Sequence, residues 1–262
     1  MTMDDKERSS RQKAHYEWMH EEYEAGYFDE YSIRYRQRFI FSALFHGLEL
    51  NGLKVAELAC GSGYNSLALL ERFPKARVAG FDISSKACLA YAKVTGGEAF
   101  ELDLTRGYHG TEVFDAAMII SGLHHMVANL DGAFLALAAM IKPGGSLLIA
   151  EPSGEFFLEA ARKLWYRADK YFDAATEQAL RHGDVLARAA PFFTSEFSLH
   201  LGGPAYFLVL NSMIFRIPPT LKKYVSAPAM AAERLYNMLP GRRPYPYFIA
   251  RWRRTQTPAP EE

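Results

Sequence analysis

The chain has 262 residues, with 30 basic and 30 acidic side chains, a formal net charge of zero and 49% hydrophobic residues. That length holds one large α/β domain, or one domain with an appended cap, and the balanced charge removes the electrostatic case for nucleic acid as a partner. Its two cysteines, Cys60 and Cys88, have neither the number nor the spacing of a disulfide framework or a metal site, so a reduced, cytoplasmic setting fits and no metal is expected.

Residues 1–12 are polar and read as disordered, with no apolar stretch of the kind a secretory signal needs. Residues 13–50 read as helical and are rich in aromatic side chains, among them Tyr16, Trp18, Tyr23, Phe28, Tyr35 and Phe45. Strand and helix patterns then alternate. Strands are expected over 54–59, 77–81, 98–102, 114–120 and 145–150, and helices over 63–73, 84–95, 130–141 and 155–171. Such alternation builds a parallel sheet with helices on both faces. Pro143, Gly144 and Gly145 form the turn that stops one helix and starts the next strand. Further on, 205–210 and 247–252 read as strands, with a helix over 228–239 between them. The apolar run 205–217 is interrupted by Asn211 and Ser212 and falls short of the roughly 18 residues of a transmembrane helix, so stable membrane insertion is not expected. Loose contact with a membrane stays open.

The most informative stretch lies in the first strand and the turn after it. Glu57, Ala59, Gly61 and Gly63 form an acid-and-glycine pattern at the point where a strand gives way to a helix, and Asp82 stands just past the next strand. A glycine turn beside an acidic strand end suits a nucleoside, with backbone packed on the ligand and a carboxylate on the ribose hydroxyls. The pattern continues through Gly80-Phe81-Asp82-Ile83-Ser84, Leu102-Asp103-Leu104, Phe114-Asp115 and Lys142-Pro143-Gly144-Gly145. In this order and spacing, over about residues 50–155, the chain resembles the class I S-adenosylmethionine (SAM) methyltransferases of the small-molecule type. It departs from them mildly at Ala59, where glycine is usual.

The resemblance implies a Rossmann-like, doubly wound, seven-stranded sheet, mostly parallel with one antiparallel strand, plus a helical cap. In that arrangement residues 1–50 form an N-terminal cap segment, and residues 51–262 form the SAM-binding domain with a cap insertion between about 155 and 245. It implies SAM as cofactor, with S-adenosylhomocysteine as product. Gly61, Ser62 and Gly63 lie against it, Asp82 and Ile83 at the ribose, Asp103 and the Leu104 N–H at the adenine, and Ser121 in the loop past the fourth strand. Glu57, inside a strand, is costly to bury alone and is expected to meet backbone N–H groups of the turn or the cofactor's amino end. One of Arg34, Arg36 and Arg38 is a candidate for the methionine carboxylate, with Arg34 and Arg38 on a shared helical face.

His124 and His125 lie at the end of the fourth strand, where open α/β sheets bind ligands, and an imidazole there is a candidate general base. Tyr16, Trp18, Tyr23, Trp165 and Tyr166 are candidates for lining the acceptor pocket. The tetrapeptide of nucleic-acid amino methylation is absent after the fourth strand, where Ser121-Gly122-Leu123-His124 stands instead. The expected activity is therefore methyl transfer to an oxygen or nitrogen of a small molecule, with no nucleic-acid partner. An NAD-type oxidoreductase would share the turn and Asp82 but leaves Asp103 and the closing strands without a role. A non-catalytic methyltransferase-like subunit is the other alternative.

Overall fold

The computed structural model describes residues 10–11, 13–14, 17, 27–168, 178–210 and 215–256. Tyr16, Trp18 and Tyr23 lie outside the described residues, as do most of residues 1–12 and the last residues of the helix expected over 155–171.

Seven strands form one sheet: β1 (Lys54–Leu58), β2 (Arg77–Asp82), β3 (Ala99–Glu101), β4 (Phe114–Ile120), β5 (Ile141–Pro152), β6 (Phe193–Leu201) and β7 (Tyr247–Arg254), in the order β3-β2-β1-β4-β5-β7-β6. β7 runs antiparallel to both β5 and β6, and the pairings among β1 to β5 are parallel. The strand order reverses at β1 and β4, which pair directly. A crevice opens at that point, beyond the carboxyl ends of the strands, where doubly wound sheets take their ligands.

Among the described residues the longer helices are α1 (Glu30–Tyr35), α2 (Tyr64–Arg72), α3 (Ser85–Thr95), α4 (Leu130–Met140), α5 (Glu159–Ala168), α6 (His182–Ala189) and α7 (Pro219–Tyr236). Their starts are written locally. Ser84 caps α3 by accepting from the Ala87 N–H at 3.3 Å, and Asn129 caps α4 by accepting from the Gly132 N–H at 3.0 Å. Gly96, in the left-handed region at φ +70°, ends α3. Both faces of the sheet are buried. Leu58, Ile119, Leu147 and Trp252 pack with Phe134 and Leu137 of α4 and Val185 of α6. On the other face Val55, Met118, Leu148 and Ile249 pack with Tyr35, with Leu69 of α2 and with Met230 of α7. Covering on both sides is what a mainly parallel sheet requires.

Three expectations change, the first being the helix expected over 228–239, which is α7 and already starts at Pro219. Residues 206–210 are not a strand but a π-helical turn, and the strand that closes the sheet is β6 at 193–201. The turn is anchored by Glu233 of α7, whose carboxylate accepts from the Gly203 and Ala205 N–H groups, each at 2.9 Å, and from the Tyr35 hydroxyl at 2.6 Å. The 143–145 turn becomes a bulge within β5. The helix does stop at Met140, but Ile141 already pairs with Phe114, and the register shifts before Ala116 meets Ser146. Among the described residues no helix is long and apolar enough to cross a membrane.

Candidate active site

The turn after β1 meets the end of β2. The Cys60 N–H donates to Phe81 O at 3.1 Å and the Gly61 N–H to Asp82 Oδ2 at 3.0 Å, while Asp82 Oδ1 accepts from the Ser84 N–H at 2.9 Å. Asp82 is 6% exposed. A carboxylate, with two acceptor oxygens, has the chemistry that suits a vicinal diol. Ile83 beside it is half-buried and Ser62, in the turn, is buried. Ala59 lies in the left-handed region at φ +51°, which explains why glycine is the comfortable residue there.

One strand along, Asp103 caps the short 3-10 helix Leu104–Arg106. Its Oδ1 accepts from the Thr105 N–H at 3.1 Å and the Thr105 hydroxyl at 2.6 Å, and its Oδ2 lies 3.7 Å from Arg106 Nε. Leu104 is buried. The rim here is also touched from the N-terminal segment. The Lys13 ammonium pairs with Glu101 of β3 at 2.5 Å, and the Ser84 hydroxyl donates to Glu17 at 3.1 Å.

Glu57 is fully buried, and its partners are side chains at the start of α2 as well as backbone. Asn65 donates to it at 3.1 Å, the Ser66 hydroxyl and backbone N–H both donate, and the Tyr91 hydroxyl lies 2.8 Å from Ser66 Oγ. Burial raises its carboxyl to about 7 against the pull of these donors. The chain from Tyr91 through Ser66 to Glu57 thus fixes α2 to β1 behind the turn. Gly63 is wedged against it. A Cβ there would fall 2.4 Å from Thr95 Cγ2 and 2.7 Å from Tyr91 Cδ2, at a φ of +84°. We expect Gly63→Ala to lower stability by about 2–4 kcal/mol, from left-handed strain plus overpacking, seen as a lower urea midpoint.

The loop after β4 is organised by a residue that the sequence reading did not single out. Glu151, near the end of β5 and fully buried, accepts at Oε1 from the Gly122 N–H at 2.9 Å and the Leu123 N–H at 2.7 Å, and its Oε2 lies 2.8 Å from His124 Nδ1. Burial pushes the carboxyl of Glu151 up and the imidazole of His124 down, the latter helped by the charge of Arg162. The His125 ring stands 3.9 Å from that of His124. Ser121, at φ +55°, donates from its hydroxyl to Tyr247 Oη at 2.7 Å, and Tyr247 in turn donates to Ala150 O at 3.0 Å. Gly122 packs on Ala59, where a Cβ would come within 2.6 Å of the alanine methyl, so the loops leaving β1 and β4 touch. An acid inside an apolar strand end was the available signal for Glu151, the same signal that marked Glu57.

Of the three arginines before β1, the structure buries Arg36. It is 6% exposed, whereas Arg34 is exposed and Arg38 intermediate. The Arg36 guanidinium sits 4.5 Å from the centroid of Phe28, and Phe28 stacks at 4.7 Å on Tyr64, the residue after Gly63. Its Nε is buried without an acceptor, and no carboxylate among the described residues pairs with it. The nearby acid, Asp29, is taken by Lys222 and by Ser32. A buried guanidinium lacking an anion, next to the glycine turn, is a place for a carboxylate from outside the chain. Trp165 and Tyr166 lie on α5, and Trp165 is 45% exposed.

A sequence model of the methyltransferase domain family matches residues 55–145, the span from β1 to the bulge of β5. Over residues 55–145 the chain carries a methyltransferase domain. No curated protein matches this chain by sequence. Among solved structures, a SAM-dependent methyltransferase from Mesorhizobium loti is 20% identical, with 82% of this chain and 97% of that one covered at a TM-score of 0.57. The N-methyltransferase NodS from Bradyrhizobium japonicum, solved with S-adenosylhomocysteine, is 14% identical over 86% of this chain and 88% of its own, at 0.53. The [4+2]-cyclase SpnF is 15% identical over 86% and 82%, at 0.57. These likenesses are of fold. Because one fold carries both methyl transfer and cyclisation, the acceptor has to be argued from the site.

Proposed function

We propose that the enzyme methylates an oxygen or nitrogen of a small-molecule acceptor, with SAM held across the β1, β2 and β3 ends. In this reading the backbone at Gly61, Ser62 and Gly63 lies along the ligand, Asp82 takes the ribose hydroxyls, and Asp103 with the Leu104 N–H takes the adenine. Arg36 takes the methionine carboxylate. SAM supplies an electrophilic methyl group on a sulfonium. The chain's part is to fix the acceptor in line with that group and to exclude water, which carries much of such an acceleration.

One observation favours an O–H or N–H acceptor: the neutral His124 at the carboxyl end of β4. Methylating such a group releases a proton, and methylating an apolar carbon framework calls for a different kind of help. Glu151 faces His124 Nδ1; once its carboxyl, raised to about 8 by burial, has ionised, it holds the Nδ1–H tautomer, which leaves Nε2 with its lone pair, ready to take that proton. Contacts of Lys13 and Glu17 with Glu101 and Ser84 draw the N-terminal segment over the rim, which suits a small acceptor better than a macromolecular one.

Titration with S-adenosylhomocysteine and a panel of phenols, hydroxy acids and amines tests the reading. Product methylated at carbon alone would overturn it. With a working acceptor, His124→Ala should lower kcat roughly 10²- to 10⁴-fold; an unchanged kcat would remove the base. Arg36→Met should weaken S-adenosylhomocysteine about tenfold or more, the worth of a charged hydrogen bond. It should leave 5′-methylthioadenosine, which lacks the carboxylate, unaffected. Equal losses for both ligands would show that Arg36 acts on the fold and not on the amino-acid arm.

A further inference from the structure

The helix that follows β5 presents its apolar side to solvent. On α5 the inward positions are Glu159, Arg162 and Tyr166, at helical spacing, and Arg162 is 6% exposed with its guanidinium donating to Ser153 O at 2.7 Å and Pro246 O at 3.1 Å. The outward positions are Ala161, Leu164 and Trp165, with Leu158 just before the helix, and Leu164 is 70% exposed. Phe215 extends this surface, its ring 6.2 Å from that of Trp165, and so does Phe157, whose N–H bonds to Arg243 O at 2.9 Å. An amphipathic helix turned this way round has an apolar stripe with no protein over it among the described residues, and a stripe of this kind marks a contact surface.

The flanks name the occupant. Lys163, Arg167, Arg242 and Arg243 are exposed around the stripe, and residues 153–168 with 241–246 hold five basic side chains against two acidic ones in a chain whose net charge is zero. Both acids face inward and are engaged, Glu159 by Arg162 and by Lys163 at 3.9 Å, Glu155 by His200 and by Arg242 at 3.7 Å, so Arg167 and Arg243 are the flank cations without a carboxylate among the described residues. We propose that this face docks on an anionic phospholipid surface, with Leu164 and Trp165 entering the headgroup boundary and the basic flank meeting lipid phosphates and carboxylates. A second copy of the chain fits poorly, since a two-fold contact would set the basic flank against its own counterpart. Nucleic acid fits poorly too, because leucines occupy the middle of the patch. Arg162 ties α5 to the ends of β5 and β7, so docking turns the open end of the sheet, with its His124 loop, toward the lipid. The surface stands whether or not the acceptor is itself a lipid.

Flotation of the full chain with phosphatidylcholine vesicles, with and without phosphatidylserine, tests this. Binding is expected to the phosphatidylserine vesicles and to be weaker on phosphatidylcholine alone and at high salt. Lys163→Glu with Arg167→Glu should weaken it by roughly fivefold or more for each charge removed. Leu164→Gln with Trp165→Gln should abolish it. Both double variants should bind S-adenosylhomocysteine as the parent does, which certifies their fold, since none of these residues belongs to the cofactor site. No flotation, flotation unchanged in the variants, or a concentration-dependent dimer that the variants dissociate would each overturn the proposal.

Discussion

Asp82→Asn is expected to weaken S-adenosylhomocysteine by roughly 10- to 150-fold, the range that the loss of charged hydrogen bonds gives. The wild-type carboxylate already accepts from two backbone donors, Gly61 N–H and Ser84 N–H, and these aim it across the gap between β1 and β2. An asparagine keeps one acceptor oxygen for them and turns an amide N–H₂ toward the other. It therefore removes the charge and half the acceptor set while leaving the turn largely built. The neighbouring Glu57 is little affected, because burial dominates its raised pKa and the charge of Asp82 is the smallest of its causes. Adenosine, which keeps the ribose, should show the same loss in calorimetry, and free adenine should show none. Unchanged affinity for adenosine would mean that the diol is held elsewhere.

The parts of the fold that could be read from the sequence are those in which local chemistry and tertiary context agree. β1, β2 and β4 are apolar runs bounded by turns, and α3 and α4 carry their own caps, so their limits fall within a residue or two of expectation. β6 escaped because it is an edge strand. Phe193, His200 and Leu201 are buried while most positions between them are exposed, so no apolar run or clean alternation advertises it. The run 205–210 misled for the opposite reason: it is uniformly apolar, and what bends it into a helical turn is Glu233, nearly thirty residues away. Arg36 was placed off the shared face of Arg34 and Arg38 by counting 3.6 residues per turn. The segment Arg36–Phe41 is π-helical, so its buried positions fall five apart, Tyr35 with Ile40 and Arg36 with Phe41, and Arg36 turns inward. The glycine turn, Asp82 and Asp103 were visible because each needs its residue type where it stands. Glu151 was not, since its role depends on a loop that only the β4–β5 pairing brings to it.

Removing that acid should have the largest effect on the folded state. Glu151→Ala leaves the Gly122 and Leu123 N–H groups and His124 Nδ1 facing a void, and we expect a loss of about 3–5 kcal/mol, as for other buried charged networks deprived of one partner. Glu151→Gln separates the charge from the contacts. Its oxygen can still accept from the two backbone N–H groups, and a cost of only about 1–2 kcal/mol is expected. The two proteins should then differ in their response to pH. Burial holds the wild-type carboxyl above the ordinary carboxylate range, so between those two values the folded chain keeps a proton that the unfolded chain has released. The stability this group lends is complete below the ordinary range and is lost as pH rises through the folded value. The gap in urea midpoint between wild type and Glu151→Gln should therefore be widest near about pH 5 and narrow toward about pH 9; a gap that widens with pH would refute the assignment. Above about pH 8, where the wild-type carboxylate is ionised and accepts from His124 Nδ1–H, the glutamine instead turns an N–H toward that atom. That drives the imidazole to its other tautomer, with the proton on Nε2, the atom proposed to receive the acceptor's proton. Nitrogen-15 shifts of His124 should report the exchange directly, and kcat should fall to the level of His124→Ala without a matching change in affinity for S-adenosylhomocysteine. Because the loop's backbone contacts survive in this variant, a fall in kcat would follow from the position of one proton and not from a collapsed loop.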